Sequence, residues 1–240
     1  MSQQYPKEIP NVTIKIHEND NWQDFNTKEF FANKNVILFG LPGAFTPTCS
    51  NSHVPRFNEL YPVFKEFGID EILCLSVNDT FVMNAWKKDQ HAEKIFFLPD
   101  GNADFTKAMN LVVDDRHLGF GDRSRRYSML VRNGQIEKMF VEEDVPGDPY
   151  KVSDADTMLK YIAPDYKLSD INVLTREGCP YCAKAKKLLK DNKMLFSELV
   201  LNKDISLSQL KAMSGHTSVP QVFIDGKHIG GSDDLEKYLK

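Results

Sequence analysis

Residues 171–192 read INVLTREGCPYCAKAKKLLKDN: a strand-like run, a short turn, then a C-x-x-C pair opening a helical stretch rich in Ala, Lys and Leu. A cysteine at a helix N-terminus faces unpaired backbone N–H groups and the positive end of the helix dipole, and both favour thiolate over thiol. Cys179 takes that place. Cys182 follows one turn later on the same face, close enough to attack a mixed disulfide at Cys179 or to close an internal one. A structural zinc site and an inert cysteine pair are the alternatives. Zinc is disfavoured because the chain has a single C-x-x-C, and His216 and His228 lie twelve residues apart rather than at ligand spacing.

Reading outward, LFSELVL (195–201) suits a strand, SLSQLKAMSG (206–215) a helix, PQVFID (220–225) a strand, GKHIGG (226–231) a turn and SDDLEKYL (232–239) a helix. Upstream, the polar stretch APDYKLSD with Pro164 breaks the pattern, predicting domains at 1–162 and 170–240 joined by a linker at 163–169. The first domain alternates in the same way. NVTIKI (11–16), KNVILFG (34–40), DEILCLSV (70–77) and IFFLP (95–99) read as strands, and residues 49–67 and 79–90 as helices, the latter opened by Asp79. RYSMLVRNGQIEKMFVE (126–142) reads as a hairpin about Asn133-Gly134, and VSDADTMLKYIA (152–163) as a closing helix with Ser153 its N-cap. Strands joined by helical crossovers, plus a hairpin, imply an α/β fold with a mixed sheet in each domain. In both domains a strand delivers a cysteine to the start of a helix.

Composition agrees with two ordinary globular domains: 240 residues, 41% hydrophobic and 27% charged. A formal charge of -4 gives no basic field for nucleic acid or an anionic membrane. Residues 170–240 carry 11 basic and 9 acidic side chains, so the acidity lies in the first domain. The opening MSQQYPKEIP lacks a leader pattern and no segment reaches a membrane-spanning length, so a cytoplasmic location is expected. Four cysteines, at 49, 74, 179 and 182, are too few and too uneven for a disulfide framework, which turns attention to their chemistry. Cys74, inside EILCLSV, reads as a small buried hydrophobe. The G-F-G at 119–121 fails the dinucleotide fingerprint.

Over residues 170–240 the combination of CPYC, SVP (218–220) and GGSDD (230–234) resembles the glutaredoxins. That resemblance implies a cis Pro220 beside Cys179, and Val219 pairing by its backbone with the cysteinyl part of glutathione. It also places Gly231, Ser232 and Asp233 at the γ-glutamyl group and Arg176, where the family commonly has lysine, at the glycyl carboxylate. Ser218 replaces a commoner threonine, and Tyr181 either meets glutathione or packs on the surface. In chemical terms, proline removes a donor where a substrate backbone must approach, and an arginine offers a carboxylate a bidentate pair.

LPGAFTPTC (41–49) fits P-x-x-x-T-x-x-C: a proline-bounded loop, a hydroxyl near the thiol, and a helix starting at the cysteine. With SHVPRFNEL, SVNDTFVMNAW and FGDRSRRYSMLV it resembles the five-type peroxiredoxins over residues 1–162. The resemblance implies that Cys49 is the peroxidatic cysteine, Thr46 the hydroxyl that orients the peroxide, Pro42 the wall that shields it, and Arg126 the guanidinium that stabilises thiolate and departing oxygen. Arg116, Arg123 and Arg125 read as a solvated loop, and His53 as a packing residue or a hydrogen-bonding neighbour of the site.

No cysteine lies between residues 75 and 178, and GDPYKVS (147–153), where some five-type peroxiredoxins carry a resolving cysteine, has none. Together the resemblances imply a fused peroxiredoxin–glutaredoxin: two thioredoxin-like domains, each a mixed β-sheet flanked by helices. Its expected activity is reduction of hydrogen peroxide and small alkyl hydroperoxides through a Cys49 sulfenic acid, with glutathione as co-substrate and Cys179 as the regenerating thiol. No tightly bound cofactor and no metal are expected. A linker of this length spans at most about 25–30 Å, against a domain diameter of about 40 Å, which leaves reach to Cys49 of the same chain open; a homo-oligomer in which one copy's second domain serves another's Cys49 is expected. The competing functions are a protein disulfide or deglutathionylating reductase, and a redox sensor.

Overall fold

The computed structural model describes residues 4–143, 145 and 147–240. Met1 to Gln3, part of the opening read as lacking a leader, lie outside the described residues, as do Asp144 and Pro146. The chain forms two compact units, Met1–Pro164 and Asp165–Lys240.

The first unit opens with an antiparallel hairpin, β1 (Thr13–Glu18) and β2 (Asn21–Asn26), turned by Asn19 and Asp20 at positive φ, where their short polar side chains are tolerated. The sequence pattern missed β2 because NWQDFN buries only one side chain, Phe25. Asn26 caps the short α1 (Thr27–Phe31). There follow β3 (Asn35–Gly40), α2 (Val54–Glu66), β4 (Glu71–Ser76), α3 (Thr80–Asp89) and β5 (Phe96–Pro99). Asp79 caps α3 as expected, its carboxylate accepting from the N–H groups of Phe81 and Val82. Next come α4 (Asp104–Ala108), a two-stranded ribbon of β6 (Val112–Asp114) and β7 (Asp122–Ser124), the hairpin β8 (Tyr127–Arg132) and β9 (Gln135–Val141), and α5 (Ala155–Ile162). Asn133 and Gly134, both at positive φ, make the expected hairpin turn. The N-cap of α5 is Asp154 and not Ser153: Asp154 accepts from the Thr157 N–H, while the Ser153 hydroxyl turns to Glu142.

The sheet runs β5-β4-β3-β8-β9, parallel across β3, β4 and β5 and antiparallel across β3, β8 and β9. Nearly every residue of β3 and β4 is buried, as continuous apolar runs covered on both faces should be. On one face Val36, Leu38, Leu73, Leu75 and Met129 share a core with the β1–β2 hairpin. On the other, α2 packs down through Phe57, whose ring stacks on Phe39 of β3 at 4.3 Å. At the end of β3 a Cβ on Gly40 would sit 2.1 Å from the Tyr127 ring, so only glycine lets β3 approach β8 there.

The second unit repeats this plan in miniature. β10 (Ile171–Thr175), α6 (Pro180–Asp191), β11 (Ser197–Val200), α7 (Leu207–Ser214), β12 (Gln221–Ile224), β13 (Lys227–Gly230) and α8 (Ser232–Tyr238) build a sheet of order β11-β10-β12-β13, parallel between β10 and β11 and antiparallel elsewhere. Ser206 and Gln209 close a capping box on α7. Residues 227–230, expected to lie within a turn, form a strand instead. Asp225-Gly226, both at positive φ, suffice to reverse the chain and leave KHIG free to pair with β12. In each unit the cysteine follows an inner strand of the sheet, β3 or β10, at the start of the helix that crosses over.

Among the described residues no helix is long and apolar enough to cross a membrane.

Candidate active sites

Cys49 lies in the first turn of a helix that begins at Pro47, two residues earlier than the sequence suggested. The turn Cys49–His53 is wound as a π-helix, the Val54 N–H donating to the Cys49 carbonyl. Pro55 has no N–H to give the Asn51 carbonyl, which removes one α-helical bond and favours the wider turn. The thiol is fully buried. Arg126, immediately before β8, sends Nη2 to within 3.4 Å of Cys49 Sγ while its side chain is only 2% exposed. The structure therefore brings together a buried sulfur and a buried guanidinium from residues 77 positions apart.

Three further groups hold that guanidinium. Nη1 lies 3.1 Å from His53 Nδ1, and His53 Nε2 lies 3.1 Å from the Ser153 carbonyl. A carbonyl only accepts, so the proton sits on Nε2 and Nδ1 accepts from Arg126. Burial first, and the Arg126 charge second, hold the His53 pKa well below 6.5, so the imidazole is neutral as this geometry demands. Asp148 takes Nε at 3.1 Å and Nη2 at 2.5 and 2.6 Å, a bidentate ion pair. The Tyr150 ring lies 5.7 Å from the guanidinium carbon and 5.1 Å from the His53 ring. Glu142, buried, accepts from the N–H groups of Lys151, Val152 and Ser153 and from the Ser153 hydroxyl, fixing the carbonyl that orients His53. Burial alone would raise the Glu142 pKa, but these donors overcome it and hold the carboxyl below its usual range.

Thr46 donates its hydroxyl to the Gly43 carbonyl at 2.9 Å, leaving its oxygen able to accept. Pro42 lines a cavity of about 700 Å³ together with Arg126 and Asp148. Arg116 is exposed, as a solvated loop residue should be, and pairs there with Asp114 and Asp122, whereas Arg123 is half-buried and donates to the Val77 and Phe120 carbonyls. Cys74 is fully buried on β4, and burial pushes its thiol up. Asp148 and Glu142 were not singled out from sequence; the only trace was an acidic residue ending an apolar strand. His53 had a clearer signal, being four residues after Cys49 on the buried stripe that continues through Phe57, Leu60 and Phe64.

In the second unit Cys179 is the N-cap of α6, and its sulfur accepts from the Cys182 N–H at 3.2 Å. Burial would raise the Cys179 pKa, but the Cys182 thiol, the N–H groups of Cys182 and Tyr181 and the charge of Arg176 together lower it. Cys182 is pushed up to about 11, first by burial and then by its hydrogen bond to Cys179. The two thiols are thus moved in opposite directions, Cys179 down and Cys182 up. The Val219 carbonyl lies 3.8 Å from Cys179 Sγ, and the Val219–Pro220 peptide is cis. Arg176 lines a cavity of about 310 Å³ with both cysteines. Tyr181 is 63% exposed beside them. Ser218 accepts from the Gln221 side chain through its carbonyl at 2.9 Å. At the start of α8, Ser232 is buried, the Gly231 N–H donates to Asp234, and Asp233 is ion-paired to Lys184 of α6 at 2.8 Å. His216 and His228 do approach, ring to ring at 5.4 Å, with His228 bonded to Gln221. Among the described residues no three His, Cys, Asp or Glu side chains converge on a metal-sized site.

The Redoxin family's sequence model matches residues 6–159 and the Glutaredoxin model residues 171–229. The hybrid peroxiredoxin hyPrx5 of Haemophilus influenzae is 59% identical over 240 residues, covering all of both chains. Peroxiredoxin sll1621 of Synechocystis is 48% identical over 65% of this chain and 90% of its own. Reduced Prx3 of Vibrio vulnificus, solved in complex with hydrogen peroxide, superposes with a TM-score of 0.62 at 41% identity, covering 68% of this chain and 99% of its own. The 1-Cys peroxiredoxin of Plasmodium falciparum does so with a TM-score of 0.64 at 35% identity, over 68% and 100%. Both expected resemblances and the thioredoxin-like α/β fold are thereby established. With a relative 59% identical along its whole length and a Redoxin and a Glutaredoxin model each matching one unit, the chain belongs to the hybrid peroxiredoxins, thiol peroxidases with a fused glutaredoxin domain.

Proposed function

We propose that the chain reduces hydrogen peroxide and small alkyl hydroperoxides at Cys49 and is regenerated by glutathione through Cys179. The observation that carries this reading is the Arg126 Nη2 contact to the buried Cys49 sulfur, 3.4 Å long. A guanidinium there stabilises the thiolate before reaction and the negative charge that grows on the departing oxygen. Pro42 and Thr46 bound the approach, the Thr46 oxygen accepting from the peroxide O–H. Cys49 thiolate attacks one peroxide oxygen, the O–O bond breaks, and with one proton the products are the sulfenic acid and water or an alcohol.

Glutathione then condenses with the sulfenic acid, releasing water and leaving a glutathionyl disulfide on Cys49. The Cys179 thiolate attacks the glutathionyl sulfur, which frees Cys49, and a second glutathione removes the group from Cys179 as glutathione disulfide. Arg176 is suited to the glycyl carboxylate, the Val219 backbone beside Pro220 to the cysteinyl part, and Gly231, Ser232 and Asp233 to the γ-glutamyl end, with Ser218 and Tyr181 at the rim. Cys182, kept protonated, supports Cys179 and is not itself required. The short linker argues for a homo-oligomer in which Cys179 of one copy serves Cys49 of another.

Steady-state peroxide consumption with glutathione, glutathione reductase and NADPH tests the relay. Cys49→Ser and Cys179→Ser should each abolish turnover, while Cys182→Ser stays within about threefold of the parent. Undiminished turnover in Cys179→Ser would mean that free glutathione suffices. Surviving activity in Cys49→Ser would favour a disulfide reductase instead.

A further inference from the structure

The Arg126 guanidinium is not an open cation. Its Nη1 is held by His53, and its Nε and Nη2 by Asp148, so the sulfur shares one nitrogen with a carboxylate. Arg126 is almost wholly enclosed, whereas the Asp148 side chain is 39% exposed, so the carboxylate is the solvent-facing member of the pair. The same two residues, with Pro42, line a cavity; Cys49 is not among its lining residues, and Arg126, which touches the sulfur and lines the cavity, joins the two. Its walls also carry Asp114, Asp115, Glu142 and Glu143, against Arg125 and Arg126. Arg116 answers Asp114 at 2.8 Å, which still leaves the lining with a net negative charge.

We propose that Asp148 is a specificity-determining residue of the Cys49 site: by pairing with Arg126 at the mouth it selects for neutral peroxides and for neutral or cationic thiols, and against anionic ones. The inference rests on the peroxidase reading above and concerns the same pocket. An incoming anion meets a guanidinium already balanced by Asp148 and a rim that repels it. Neutral hydroperoxides pass without that cost. Glutathione, with two carboxylates and one ammonium, carries a net negative charge even before its thiol ionises, so the first reductive step is the one this mouth slows. Added salt relieves the slowing, because the rim is partly exposed and screened.

Three small thiols of similar size separate charge from shape: cysteamine, 2-mercaptoethanol and 3-mercaptopropionate. The full chain carrying Cys179→Ser and Cys182→Ser is oxidised with one equivalent of hydrogen peroxide and mixed with each. The thiolate attacks the sulfenic sulfur, the S–O bond breaks, hydroxide leaves, and the mixed disulfide is counted by intact mass. One unit charge on the order of 7 Å from the mouth, at an effective dielectric between about 40 and 80, corresponds to a factor of about three to eight in rate. The rate per thiolate should therefore fall by about that factor with each added negative charge at low ionic strength, and the spread should collapse in high salt. Asp148→Asn, which keeps the acceptor shape, should raise the ratio of 3-mercaptopropionate to cysteamine rates by about threefold or more, and Asp148→Glu should return it. A purely structural role would slow all three thiols together and leave the ratio unchanged, which overturns the proposal. Equal rates per thiolate in the parent do the same while leaving the peroxidase reading intact. Failure to form a mixed disulfide with any thiol after peroxide treatment overturns both.

Discussion

Arg126→Lys keeps the positive charge and removes the geometry, which makes it the sharpest perturbation of the Cys49 pocket. The guanidinium serves three directions at once: Nη2 to Cys49 Sγ at 3.4 Å, Nη1 to His53 Nδ1 at 3.1 Å, and a fork on Asp148. An ammonium has no fork, and pairing with the Asp148 carboxylate draws it away from the sulfur. The reaction then lacks one charge-assisted hydrogen bond where charge develops, worth about 1.5–3 kcal/mol, and loses alignment besides. Taken together, a barrier increase of about 2–4 kcal/mol corresponds to a fall of roughly 30- to 1000-fold in kcat/KM for hydrogen peroxide. Stopped-flow fluorescence reads the first turnover directly, because Trp86 Nε1 donates to Ser50 Oγ at 3.0 Å, one residue from Cys49. Circular dichroism of the variant should match the parent. A correctly folded Arg126→Lys chain that keeps its rate within about threefold would show that charge alone suffices and would refute the role given to the fork.

Stability should follow the buried imidazole. Because the folded-state pKa of His53 lies well below its unfolded value of about 6.5, the folded chain binds fewer protons in that window, and stability present above it is lost as pH falls. Urea titrations should show a loss approaching about 1.4 kcal/mol per pH unit below about 6.5, in excess of that of a His53→Gln variant; identical pH slopes would contradict it. In the second unit Lys184 holds Asp233 below the usual carboxylate range and occupies the carboxylate proposed above for the γ-glutamyl ammonium. Lys184→Met should lower KM for a glutathionylated peptide by about two- to threefold with kcat unchanged, a modest effect because the pair is exposed, and a rise in KM would show that Lys184 itself helps to hold glutathione.

The second unit was the more legible in sequence. Its chemistry is local: Cys179 and Cys182 sit one turn apart on α6, and the Asp225-Gly226 turn was hidden only by reading a strand as part of a loop. The first unit's buried strands were equally plain, since β3 and β4 are continuous apolar runs. Its site was not. Arg126 came from a resemblance, because four arginines lie within 116–126 and only the three-dimensional pairing distinguishes them. Asp148, Glu142 and the Ser153 carbonyl act through the path of a loop, and a backbone acceptor leaves no mark on residue type. Short elements such as β2 and the β6–β7 ribbon bury too few side chains to produce a period.

The relay from peroxide to Cys49 to glutathione to Cys179 is tested most directly by trapping its middle. Full-length Cys179→Ser, oxidised with one equivalent of hydrogen peroxide and then given excess glutathione, should accumulate one glutathionyl group per chain, mapped by peptide mass to Cys49, and lose it on adding the unoxidised Cys49→Ser chain, whose Cys179 is intact. A sulfenic acid that persists unglutathionylated, or a Cys49 adduct that the intact Cys179 fails to remove, would contradict the account.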